Sequence, residues 1–260
     1  MKLKALLLTS CMLLQPSLAN SQEVTAAVAA SDPSLLVIEF GPKVQIFTEA
    51  QRLSVILQLL PNTADIYWPT AQLYNAKAPE LAEVENSRQQ LAEQLRLLTL
   101  RAADNALLSQ QLMALRQQIL SWRLAKPLHE IIRPASVETS VQFNPNIGPG
   151  HYVLSGARRS NAVTFLGLGG EFFAQYQGGA PAYQYLDALE RNRLALPEYF
   201  YVARANMPLQ TIPVASWNRS EQPLQPGDLV FVPLPDDVLS DYGETFNMQL
   251  LELVRYRVMP

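Results

Sequence analysis

Two consecutive runs of seven-residue periodicity constrain this chain more than anything else in it. Val84, Leu91 and Leu98 recur every seven residues, with Leu81 and Leu95 on the same side. In the second run Leu108, Leu115 and Trp122 repeat by seven, and so do Leu112 and Ile119. A stripe with that spacing stays on one side of an α-helix and demands a partner helix. Ala103-Asp104-Asn105 separates the runs as a turn, so an antiparallel helical hairpin is expected over 79–122. Each arm of about 20 residues would be ~30 Å long. Pro79 suits a first helical turn, and Glu80, Glu83 and Glu85 lie where the helix dipole favours negative charge. The outer faces carry Gln89, Gln90, Gln94, Gln110, Gln111, Gln117 and Gln118. Such a face serves either as a solvated surface or as an arm that grips a partner protein.

The N-terminus reads as an export signal. Lys2 and Lys4 precede an apolar stretch from Ala5 to Leu14, and Ser17-Leu18-Ala19 supplies the small residues of a cleavage site. About ten apolar residues are too few to cross a hydrocarbon core of roughly 30 Å. Cleavage is expected after Ala19, with a linker over 20–33 ending at Ser31-Asp32-Pro33. Losing Lys2 and Lys4 takes the basic count from 20 to 18 against 23 acidic residues, so the charge moves from −3 to −5. Leu8-Thr9-Ser10-Cys11 also resembles a lipoprotein box, but the apolar run continues past Cys11 through Met12, Leu13 and Leu14. Under cleavage after Ala19 the single cysteine leaves with the signal. The expected compartment is the periplasm.

The rest of the chain alternates short strands with turns. Leu35 to Phe40, a Gly41-Pro42 break and Val44 to Phe47 read as strand, turn and strand. Leu53, Ile56, Leu57 and Leu60 have helical spacing, and Pro61-Asn62 stops that helix. Beyond Pro134, the stretch Val137 to Phe143 alternates loosely, and Tyr152 to Gly156 and Val163 to Leu168 read as strands. Tyr183 to Arg191 reads as a helix; Phe200 to Ala203, Gln210 to Val214 and Leu229 to Val232 read as strands, the last behind a Pro226-Gly227-Asp228 turn. That is a β-grasp-like order. Asp236 to Asp241 opens a terminal helix with Phe246, Leu250, Leu253 and Val254 on one face. The expected fold is therefore α+β: a first β-grasp-like domain over 34–145 carrying the hairpin, a second over 146–235, and an amphipathic helix over 236–260. The apolar stripe of that helix is expected to dock on protein, on its own domain ahead of a neighbouring subunit.

Composition removes several functions. Hydrophobic residues make up 48% and charged residues 17%, which is a core-forming chain. A charge of −3 gives no support for nucleic-acid binding. One cysteine and two histidines are too few for an all-protein zinc site or a disulfide scaffold, and no cofactor is expected. No Gly-x-Ser-x-Gly elbow occurs, and Gly167-Leu168-Gly169-Gly170 lacks the spacing of a dinucleotide loop. Asp236-Asp237 suits the first turn of the terminal helix. His151-Tyr152 offers either a general acid and base or a structural histidine at a strand start. Arg123, following Trp122 where the helix ends, either binds an acidic group beside aromatic surface or bonds the last helix carbonyls. Trp68, before Pro69, is either a platform for a sugar ring or core. The candidate binding residues are thus Arg123, Trp68 and Trp122.

In order along the chain, Ile66-Tyr67-Trp68-Pro69, the helical pair, Gly150-His151-Tyr152 and Val163-Thr164-Phe165-Leu166-Gly167 come first. Ala215-Ser216-Trp217-Asn218 and Pro226-Gly227-Asp228-Leu229-Val230-Phe231-Val232 follow, before the terminal helix. This ordered set, from about Val37 to Met259, resembles the GfcC family of capsule biosynthesis proteins. The resemblance implies a periplasmic protein of two β-grasp domains, a helical hairpin and a C-terminal amphipathic helix. It implies likeness to the periplasmic rings of Wza-type polysaccharide exporters, and an arginine equivalent to Arg123. The later domain is similar to soluble-ligand-binding β-grasp modules. Those modules carry Gly-Ala-Val then Pro-Gly after the second strand, where this chain has Gly167-Leu168-Gly169-Gly170-Glu171. The expected function is a non-catalytic accessory role in capsule or exopolysaccharide assembly or export, with the polysaccharide or the export machinery as partner. The rivals are a polysaccharide lyase or hydrolase and a plain oligosaccharide-binding module.

Overall fold

The computed structural model describes residues 32–60, 65–128, 132–191, 196–239 and 242–259. The expected signal over 1–19, Cys11, linker residues 20–31, Pro61-Asn62 and Asp241 lie outside the described residues. The described residues are mixed α+β, with two five-stranded sheets and one two-stranded sheet.

In the first half, β1 (Leu36–Phe40) and β2 (Lys43–Phe47) pair antiparallel across a turn with Gly41 at φ 54°. A left-handed φ is nearly free only for glycine. Then come β3 (Gln51–Arg52), α1 (Leu53–Leu59) and β4 (Gln72–Asn75). Two long helices, α2 (Leu81–Arg101) and α3 (Ala106–Ser121), separate β4 from β5 (Lys126–Leu128). The half ends with α4 (Pro134–Val137), β6 (Asn146–Ile147) and β7 (Gly150–Ser155). Strand order is β2-β1-β7-β4-β5, with β7 parallel to β1 and antiparallel to β4.

Val137 to Phe143, loosely alternating in sequence, forms no strand; it holds the end of α4 and a 3-10 turn over Val141–Phe143. The expected domain boundary also differs from the fold. The boundary placed between 145 and 146 cuts the first sheet, because β7 fills the gap between β1 and β4. Local pattern shows that a strand exists, but its parallel partner more than a hundred residues away is a tertiary choice.

The second half repeats the scheme. Strands β8 (Ala162–Gly167) and β9 (Gly170–Gln175) form a hairpin, followed by α5 (Leu186–Arg191), β10 (Tyr199–Ala203), β11 (Gln210–Pro213) and β12 (Leu229–Phe231). The order is β11-β10-β12-β8-β9, and β12 runs parallel to β8. In both sheets the first strand of the opening hairpin is parallel to the last strand. Residues 204–209 make a short connection between β10 and β11, at the place where α2 and α3 stand between β4 and β5.

Burial follows the heptads. Leu91, Leu95 and Leu98 of α2 meet Leu112, Leu115 and Ile119 of α3 in one core. Asn105 caps α3, its side chain accepting the Leu108 amide at 3.1 Å. Across the pair, Arg116 Nε donates to the Ala92 carbonyl at 3.0 Å. The same core takes in Leu166, Leu229 and Phe231 of the second sheet and Phe246, Leu250, Leu253 and Val254 of the terminal helix. The opposite face of that sheet packs Phe165, Phe200 and Val230 against Tyr185 and Leu189. A separate core joins Leu36, Ile38, Leu73 and Leu154 to Leu53 and Ile56 of α1.

The terminal helix is interrupted. Asp236 and Asp237 open a four-residue helix, α6 (Asp236–Leu239), and α7 (Gly243–Tyr256) begins afresh. Asn247, next to Phe246 of the apolar stripe, is buried: its amide donates to the Leu234 carbonyl and accepts the Leu234 amide, at 2.9 and 2.8 Å. That exchange satisfies a buried polar side chain and ties the helix to the end of the second sheet. Among the described residues no helix is long and apolar enough to cross a membrane.

Candidate functional site

Alternation along β1 and β7 creates the first cluster. Val37 faces His151 across the parallel pair and Glu39 faces Val153, so Glu39 and His151 project from one face of the first sheet. Glu39 Oε1 contacts His151 Nε2. An ionised carboxylate only accepts, so that ring nitrogen carries the hydrogen. Glu39 Oε2 pairs with Arg123 Nη2 at 2.6 Å, where the chain leaves α3. Arg123 is half exposed, its side chain at 50%, whereas Glu39 and His151 are largely enclosed. His151 Nδ1 is buried with no hydrogen-bond partner in the structure.

The guanidinium on Trp122 is not that of Arg123. Arg257, just past α7, lies over the Trp122 ring at 5.1 Å from its centroid. Main-chain bonds bring it there: the Ala125 amide donates to the Tyr256 carbonyl at 2.8 Å, and the Val258 amide to the Arg123 carbonyl at 2.9 Å. Arg257 reaches on to the second sheet and forms a two-point pair with Glu171, its Nη2 at 3.2 Å from Oε2. Burial pulls the Arg257 guanidinium below its ordinary pKa. Trp122 is buried, and its carbonyl accepts Arg88 Nη1 at 2.7 Å. Arg88 is itself paired with Glu85.

Beside the Arg257–Glu171 pair opens a cleft of about 520 Å³, within the size range of small-molecule sites. One wall is the β8–β9 edge of the second sheet. Thr164 and Phe173 are register partners there, and Glu171 lies two residues from Phe173 on the same face. Leu166 and Phe231, further along that face, are covered by the helices, and Leu229 lines the cleft where the cover ends. The other wall is the segment leaving β7, with Arg158 and Ser160.

A polar scaffold fixes the walls. Gly227, at φ 84°, sits so close to Thr70 that an added Cβ would lie 3.1 Å from its Cγ2. Asp228 is buried, accepts both Arg204 Nε and Nη2 at 2.8 Å, and also accepts the Gln225 amide. The Pro226-Gly227-Asp228 turn is thus held by a bidentate ion pair. Asn206 donates to the Ala71 carbonyl at 2.9 Å, pinning the 204–209 connection to the start of β4.

The expected site residues separate. Arg123 and Trp122 lie at the junction of the end of α3, β1 and the tail that follows α7, Arg123 paired with Glu39 and Trp122 under Arg257. Trp68 is half-buried against the core of the first sheet and presents no free ring face to the cleft. Phe246, Leu250, Leu253 and Val254 are core. Glu39, Glu171, Arg257, Arg158 and Phe173 escaped the sequence reading. Glu171 and Phe173 had a signal: Gly169 and Gly170, at φ 96° and 90°, make the turn that starts β9. Among the described residues no group of three His, Cys, Asp or Glu side chains is placed to hold a metal ion.

Comparison with known proteins gives two family matches. Residues 37–159 match the family described as "Capsule biosynthesis GfcC, N-terminal" and residues 172–259 that described as "Capsule biosynthesis GfcC C-terminal". The chain is also 28% identical over 199 residues to YjbG of Escherichia coli (strain K12), named as an uncharacterized protein. That alignment covers 76% of this chain and 79% of YjbG.

Proposed function

The chain belongs to the GfcC capsule biosynthesis family, and from that premise we propose that it is a periplasmic, non-catalytic accessory protein of capsule or exopolysaccharide assembly and export. The observation that carries this reading is that the family match runs through both halves of the fold. Its partners are the polysaccharide or proteins of the export machinery. In the same reading each sheet is a β-grasp, supported by the shared strand order with first and last strands parallel. Helices α2 and α3 form an antiparallel hairpin inserted into the first of them.

Lack of catalysis is supported by how the charges at the junction are used. Glu39 is committed to His151 and Arg123, and Glu171 to Arg257. A general acid or base must reach the proton that it transfers. The ring nitrogen of His151 that Glu39 does not hold is itself buried. Purified protein should therefore leave its cognate polymer at unchanged chain length, read by size-exclusion profiles before and after long incubation. Shortening that disappears in His151→Ala would establish a polysaccharide-modifying enzyme instead.

Periplasmic location rests on Lys2, Lys4 and Ser17-Leu18-Ala19. Intact mass of the protein released by osmotic shock should correspond to a chain beginning at Asn20. A mass that retains Met1, or carries acyl chains on Cys11, contradicts this.

A further inference from the structure

We propose that the cleft between the two sheets binds a short stretch of acidic saccharide, with Phe173 as the stacking platform and Arg158 as the group that takes a sugar carboxylate; this rests on the capsule reading above.

The walls carry the chemistry that sugars need. Phe173 stands on an edge strand with 71% of its surface exposed, far more than the aromatics of either core. It faces an open cleft, so the ring offers a flat apolar surface to the C–H face of a pyranose. Around it, Thr164 presents a hydroxyl that is both donor and acceptor, while the Thr70 and Ser160 hydroxyls, which donate to the Tyr67 and Ala162 carbonyls at 2.9 and 3.2 Å, keep acceptor capacity. The Arg257–Glu171 pair lies at one side of the cleft and supplies planar groups of both signs for neighbouring sugar hydroxyls. Leu229 and Met259 complete an apolar lining. An apolar platform among hydroxyl and planar polar groups suits a ring that is apolar on its faces and hydroxylated at its edge. It does not suit an acyl chain, which would strip water from those polar groups and give them no hydrogen bond in return.

Arg158 gives the site its sign. Its side chain is 82% exposed, and Nη2 lies 2.6 Å from Asp65 Oδ2, itself 59% exposed. Exposed pairs of this kind contribute little, because water screens them and both side chains must be held in place. An arriving carboxylate can therefore replace Asp65, and the planar guanidinium binds it at two points. The remaining charge in the cleft, Glu171, is already neutralised by Arg257, so a sugar acid meets no unpaired negative group there.

The test uses the mature full-length protein and short oligosaccharides cut from the polymer that the producing cells display. A matched set has its carboxylates reduced to alcohols. Titration calorimetry should show binding of both sets, with the acidic set tighter. Phe173→Ala should weaken both about tenfold (~1.4 kcal/mol). Arg158→Ala should remove the difference between the sets and leave binding of the reduced one unchanged. Both side chains are exposed, and unchanged melting temperatures verify folding. The proposal is overturned if the wild type binds neither set, if both variants bind like the wild type, or if the polymer has no acidic sugar. Failure to bind, in cells whose capsule still depends on the gene, removes the cleft ligand and leaves the accessory role standing. Binding, in cells whose capsule is indifferent to the gene, removes the accessory role and leaves the saccharide site.

Discussion

Arg123 Nη2 lies 2.6 Å from Glu39 Oε2, while the other oxygen of the same carboxylate holds the imidazole of His151. One side chain on β1 thereby ties the end of α3 to β7, across 112 residues of sequence between Glu39 and His151.

The two ends of that cluster differ in burial, and this fixes the order of mutational effects. Arg123 is half exposed, so Arg123→Ala should cost less than about 1 kcal/mol. Glu39→Ala strands the enclosed His151 N–H and should cost about 1–3 kcal/mol. Urea unfolding of the two variants decides it. A larger loss for Arg123→Ala would mean that the guanidinium anchors the helix end and is no surface group.

Arg257 is more demanding. Its side chain and that of Glu171 are 12% and 10% exposed, and Trp122 lies beneath the guanidinium. Arg257→Ala leaves a nearly buried carboxylate without its partner, which should cost about 3 kcal/mol. Arg257→Ala combined with Glu171→Gln should recover part of that loss, because the stranded charge is gone. Equal stabilities of the single and double variants would contradict the pairing.

The terminal helix is a core element. Phe246, Leu250, Leu253 and Val254 share one apolar cluster with α2 and the second sheet. Leu250→Ala should cost about 2–5 kcal/mol. Removing residues 244–260 should expose that cluster and cause aggregation. A truncated protein that stays monodisperse and equally stable, while only the full chain co-floats with liposomes, would make the helix a membrane anchor.

Stability should also fall at alkaline pH. Burial raises the phenol of Tyr74 above its ordinary value of 10.0, and burial does the same for Tyr152 and Tyr185. A raised folded value means that the folded state holds its proton more tightly. The contribution is complete below the unfolded value near 10 and is lost as pH rises through the raised folded values. Chemical denaturation between neutral pH and the alkaline range should show a decline that begins above pH 10. The Tyr74→Phe variant should show a shallower decline; an identical slope would remove Tyr74 from the cause.

What the sequence showed was what local periodicity controls. The heptads place Leu91, Leu95 and Leu98 against Leu112, Leu115 and Ile119, and the stripe at Phe246 and Leu250 names its own buried face. The strands at Leu36–Phe40 and Leu229–Phe231 were equally plain. The short strands Gln72–Asn75 and Lys126–Leu128 were not, because they owe their pairing to β7 and to each other more than to their own alternation. The site was least legible. Arg257 meets Glu171 across 86 residues, and only the bonding of the tail to residues 123–125 brings it there. Arg123 stood out in the sequence as a candidate for an acidic group beside Trp122, whereas in the fold it pairs with a carboxylate on β1 and the guanidinium over the Trp122 ring is that of Arg257.

The accessory role itself is tested most directly in cells. The gene is deleted, and surface-attached and secreted polysaccharide are each stained and quantified. Loss of the attached polymer, with full-length chains still made and display restored by the wild-type gene, is the predicted result. Unchanged surface polymer, or polymer whose chain length alone has shifted, would contradict a non-catalytic part in capsule assembly.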